Sequence, residues 1–233
     1  MKSIIAAATP NGNHRGLSEM VISRDSVGRI ATAIELLAVY LCILLYIWRW
    51  HRLHPLVWIP ILAFIILTHV LHHDTLREMG LTAHQAGASA RIILPLAALI
   101  YGATVVWALS SHRLALPWPR GAAEGRVGVY VIWCCFQQYL MQSYFYRRLT
   151  AVLRSPHLSA AVAALMFSGA HVPNLVLMAA TVAGGFILSE VFARHPNIWP
   201  LALTQVVGGL LIAAVFPASL IHQMRVGPGY YTH

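Results

Sequence analysis

The chain has 233 residues, of which 58% are hydrophobic and only 10% charged, and its formal net charge is +9, from 16 Lys+Arg against 7 Asp+Glu. An ordinary soluble domain is charged at about a quarter of its residues, so the composition excludes that class and points to a membrane protein. The cations sit mostly at the ends of apolar runs, so the expected partner is the anionic lipid headgroup and not nucleic acid. Cys42, Cys134 and Cys135 all lie inside apolar runs without a paired C-x-x-C spacing, which reads as three small buried hydrophobes.

The first 29 residues are polar and hold Lys2, Arg15, Glu19, Arg24, Asp25 and Arg29, so no cleavable signal is read there and the first apolar run is expected to act as an anchor. Seven apolar spans follow, roughly 30–48, 55–71, 91–110, 128–146, 158–170, 175–193 and 198–216. The expected fold is therefore all-α, a polytopic membrane helix bundle of about seven transmembrane helices. It divides into a polar tail (1–29), N-terminal transmembrane helices (30–126), a core of helices (127–216) and a C-terminal tail (217–233). Span five is short for a crossing, and span three contains Pro95, which a membrane helix tolerates as a kink. Trp48, Trp50, Trp58, Trp118 and Trp199 fall near span ends, as an interfacial belt would. Arginine and lysine are more numerous on the side of the N-tail, which predicts a cytoplasmic N-terminus.

Three polar clusters lie within these spans. Gln137, Gln138 and Gln142 occupy span four, with Gln138 and Gln142 on one helix face at i, i+4. The stretch FSGAHVPN brings His171 to the end of span five, where Pro173 predicts that the helix stops. Gln205 lies in span seven, one turn before Gly208 and Gly209. Any one cluster reads as interhelical hydrogen bonding, worth roughly 1 kcal/mol per contact. All three in consecutive stretches of chain read as a pocket. Separately, HVLHHD places His69, His72, His73 and Asp74 at the end of span two, at a spacing that two imidazoles could use to share a metal, or as interfacial histidines.

Taken in order, QQYLMQSYFYRRL, FSGAH and NIWPLALTQVVGG resemble the CPBP family of intramembrane metalloproteases, related to CAAX prenyl proteases and bacteriocin-processing proteins. The resemblance runs from about Val127 to Phe216. It implies a helix with E-E-x-x-x-R, a following F-x-x-x-H and a later H-x-x-x-N. Here Gln137 and Gln138 stand at the two glutamate positions, Gln142 at the arginine, Gln205 at the second histidine and Gly209 at the asparagine. His171, with Phe167 four residues before it, keeps the family residue, and Arg147–Arg148 match the flanking pair.

The resemblance implies zinc and a carboxylate that activates water. A carboxamide is neutral and hardly basic, and is a poor zinc ligand, so the substitutions argue against both. Glu190 and His222 are the residues that could complete a metal set with His171. The expected protein is an integral membrane member of this family, by resemblance a metalloendopeptidase cutting at or in a bacterial inner membrane, or a silent member that binds a peptide or lipidated tail in the old groove. Two readings stand beside it: a membrane metal oxidase built on His69–His73, together with His112 or His171, and a non-enzymatic assembly protein.

Overall fold

The computed structural model describes residues 13–114 and 123–231, and the side chains of 26–114 and 127–231. Lys2, Trp118 and Arg120 lie outside the described residues. Every regular element among the described residues is helical. The main ones are α1 (Asn13–Leu45), α2 (Trp58–Leu71), α3 (Ala86–Ser110), α4 (Ala123–Gln138), α5 (Arg147–Leu153), α6 (Pro156–Gly169), α7 (Leu175–Arg194) and α8 (Ile198–Val215). A π-helical stretch, Tyr139–Tyr146, joins α4 to α5 without a break.

Among the described residues, four helical stretches are long and apolar enough to cross a membrane: Ser26–Leu53, Ala86–Ser110, Leu175–Arg194 and Ile198–Val215. The protein is an integral membrane protein. Of the seven expected spans, 55–71 and 158–170 become helices of only 14 residues, and the stretch holding the glutamines is not among the four. The carboxamides and hydroxyls of that stretch dilute its hydropathy. The polar tail is helical from Asn13 onward, which its composition did not suggest.

Local signals define the helix ends. Ser155, Asn174 and Asn197 each cap a helix by accepting a backbone N–H, from Leu158, Leu177 and Trp199 respectively. Pro156 sits in the first turn of α6, and α6 stops at Gly169, as Pro173 predicted. Pro95 lies within an unbroken α3. Helices α6 and α7 approach closely where Ala164 meets Gly185. A Cβ on Gly185 would stand 2.9 Å from the methyl of Met141 and 3.4 Å from the backbone of Ala164. Small residues let membrane helices gain dispersion contacts where no hydrophobic driving force separates helix from lipid.

The loop after α2 is stitched to the core. Gly80 adopts φ +71°, and any Cβ there would fall 2.9 Å from the backbone of Asn197. Its carbonyl accepts from Ile198 N at 3.1 Å, and the Asn197 amide donates to the carbonyls of Thr82 and His84 at 2.7 and 2.8 Å. The Ser143 hydroxyl donates to Met79 O at 2.6 Å.

An ionic knot ties α1 and this loop to α5. Arg148, 4% exposed, donates to Asp74 at 2.7 Å, to Glu35 at 3.3 Å and to the Thr68 carbonyl at 3.3 Å. Arg147 pairs with the other Asp74 oxygen at 2.6 Å. Tyr144 donates to Glu35 at 2.9 Å, His72 meets its second oxygen at 2.9 Å, and His69 Nδ1 meets Asp74 at 2.7 Å. Burial would raise the Asp74 pKa, but hydrogen bonds from Arg148, Arg147 and His69 outweigh it and hold the carboxyl well below the usual range.

Removing Arg148 leaves Asp74 to Arg147 and His69 and leaves Glu35 without its arginine, held by Tyr144 and His72, so Arg148→Ala should destabilise the protein by about 3 kcal/mol, read as a lowered thermal midpoint in detergent. Because Asp74 is depressed in the folded state, its contribution is complete above about pH 5 and is lost as pH falls below about 4. Asp74→Asn should flatten that acid limb of the unfolding curve.

Candidate functional site

Helix α4 and the π-helical stretch present Gln137, Gln138 and Gln142 toward α8 and α7. A π-helical insertion is frequent where a helix carries function, because it changes which side chains share a face. Here it leaves Gln138, Gln142, Ser143 and Tyr144 fully buried. The four glutamines form one continuous chain. The Ser189 hydroxyl donates to Gln142 Oε1 at 3.1 Å, and Gln142 Nε2 donates to Gln138 Oε1 at 3.2 Å. Gln138 Nε2 donates to Gln205 Oε1 at 2.6 Å, and Gln205 Nε2 donates to Gln137 Oε1 at 2.6 Å. Each carboxamide in the middle both gives and accepts, so burial leaves it satisfied.

Beside this chain opens a cavity of about 1050 Å³ whose walls are mostly apolar. Gln137, Gln205 and His171 all line it. His171 makes no hydrogen bond to the glutamines. Its Nδ1–H donates to the Phe167 carbonyl at 2.7 Å, and its ring edge packs on Phe167 with centroids 4.8 Å apart. Gly209, at the asparagine position, is where the Tyr130 hydroxyl enters, and a Cβ there would collide with it. A tyrosine from α4 thus takes space that a side chain on α8 would use.

Glu190 and His222 do not line the cavity. Glu190 is held by His157 at 2.8 Å and Arg194 at 3.0 Å, and the His222 ring stacks on Tyr230 at 3.8 Å. His69 and His72 are committed to Asp74 and Glu35, so HVLHHD belongs to the ionic knot. Among the described residues, no group of three or more His, Cys, Asp or Glu is placed to hold a metal ion. Zinc, which the resemblance implies, does not fit the donor set at the motif positions. One imidazole is accompanied there by four carboxamides whose oxygens are all taken up by one another or by Ser189.

Glu35 is the residue that sequence reasoning passed over. It is a lone carboxylate in the first apolar run, and an intramembrane charge of that kind is itself a signal.

Residues 125–211 match the family model described as type II CAAX prenyl endopeptidase Rce1-like, in agreement with the CPBP resemblance. No curated protein matches the chain, and neither does any solved structure.

The carboxamide chain should matter unequally along its length. Gln138→Leu strands Gln142 Nε2 and Gln205 Oε1 inside the bundle and should cost about 2–4 kcal/mol, while Gln137→Leu, at the cavity end, should cost about 1 kcal/mol. Denaturation midpoints of the two variants in the same detergent check the order.

Proposed function

We propose that this integral membrane protein, whose residues 125–211 form an Rce1-like domain, uses that domain to bind a long apolar ligand such as a lipidated peptide tail and does not cut it. The observation that carries the reading is the closed carboxamide chain. Hydrolysis of a peptide bond needs a base to take a proton from water and something to stabilise the developing oxyanion. At the positions where the family resemblance expects two glutamates, an arginine and a second histidine, this chain has neutral carboxamides hydrogen-bonded to one another. His171 alone keeps its identity, and its Nδ1 is bound to its own helix.

Binding is supported by the cavity. It is at the large end of the range for ligand sites, is lined by side chains such as Ile65, Ile93, Trp133 and Phe136, and carries few polar groups at one pole. The name of the matching family concerns prenylated substrates, which makes a prenylated or acylated peptide the first ligand to test. We place the protein in a bacterial inner membrane with its N-terminus in the cytoplasm; the arginine distribution supports the sidedness alone.

The test pairs cleavage with binding. In lipid nanodiscs, a farnesylated peptide and its C-terminal amide should both stay intact, while the amide binds saturably. Zinc in the purified protein should be far below one per chain and unchanged in His171→Ala. Cleavage abolished by His171→Ala, or stoichiometric zinc lost in that variant, would overturn the reading.

A further inference from the structure

We propose that the cavity selects for an uncharged head group: its occupant is a single long hydrocarbon or isoprenoid chain ending in a hydroxyl or carboxamide, and ionised heads are rejected. This inference rests on the cavity being a binding site and goes on to state what it binds.

Among the described residues, no Asp, Glu, Lys or Arg side chain lines the cavity. The charged cluster around Arg148 is closed on itself, with cations and carboxylates answering one another. A carboxylate or ammonium drawn into the cavity would lose its water and find no counter-ion. Such a charge is among the most costly groups to bury.

The polar groups that do reach the cavity are few and mostly engaged. The hydroxyls of Tyr40, Tyr46, Tyr101, Thr104, Thr181 and Thr204 all donate to backbone carbonyls. The Tyr130 hydroxyl packs against Gly209. Beside the indole N–H groups of Trp58 and Trp133 and the Tyr130 hydroxyl on the wall, the glutamine pole keeps one acceptor and one donor. His171 gives its Nδ1 proton to Phe167 O, so the neutral ring offers the Nε2 lone pair. Gln137 accepts from Gln205 through its oxygen, while its Nε2 carries no hydrogen bond among the described residues. A hydroxyl or carboxamide both gives and accepts, so it can use either group or both. An ionised carboxylate has nothing to give His171, and a quaternary ammonium has neither role.

The experiment uses the full chain in phosphatidylcholine nanodiscs with a diazirine-bearing hexadecanol as photoprobe. Hexadecanol and hexadecanamide should abolish labelling, whereas hexadecane sulfonate and hexadecyltrimethylammonium, charged at every pH, should need about a hundredfold more, as expected for a desolvated unpaired charge. Gln137→Arg should shift the sulfonate-to-alcohol ratio by about tenfold or more toward sulfonate, as a new buried cation pairs with it. That ratio, read in one bilayer, cancels differences in partitioning. Thr181→Arg, on the cavity wall, serves if Gln137→Arg does not fold. Equal competition by sulfonate and alcohol in the unaltered protein overturns the selectivity and leaves the cavity a binding site. Absence of any saturable labelling overturns both.

Discussion

The structure depends on one balance of charge. Two arginines stand next to each other at the start of α5, and each needs a carboxylate in surroundings where water is scarce. Asp74 and Glu35 supply them from a loop and from α1, with Tyr144, His69 and His72 taking up the remaining lone pairs. The knot therefore determines where α1 lies and holds the loop after α2 against the core. A buried ion pair contributes little net energy compared with apolar packing, but breaking it is costly. Its service here is to specify one arrangement among helices whose outer faces are uniformly greasy. Two buried atoms are left without a partner in it, Nε of Arg147 and Nε2 of His69, whose ring packs against those of Tyr139 and Tyr144.

Charge and carboxamide are separated along a single stretch of chain. The π-helical segment carries Gln142 toward α7, and Tyr144 and the arginines beyond it toward α1 and α2. One end is ionic and structural. The other is neutral and opens on the cavity. Where the family resemblance expects paired charges at a reactive centre, this chain keeps its pairs for holding helices together.

The end of α6 was legible in Pro173, and Asn174, Asn197 and Pro156, which lie where caps belong, are local signals of the same kind that went unread. The glutamines could be grouped because Gln138 and Gln142 share a face and Gln205 lies at a matching place in a later helix. What could not be read was pairing across long separations. Glu35 and Arg148 are 113 residues apart, and nothing near either one names the other. The histidines of HVLHHD suggested a metal for the same reason: their spacing was visible, but the carboxylates that claim them were not. Glu190 looked available in sequence because His157, 33 residues earlier, gave no hint of its reach.

The carboxamide chain has a consequence for energetics across the membrane. A charged residue moved within a bilayer does work against the transmembrane potential, about 2.3 kcal/mol per elementary charge per 100 mV when it crosses fully. Four glutamines and a serine carry no net charge and titrate nowhere near physiological pH. Rearranging them around a guest moves no charge through the field and takes up no proton. The carboxamide side of the cavity is thus indifferent to both components of a proton gradient, which leaves His171 as the one titratable imidazole described on its wall.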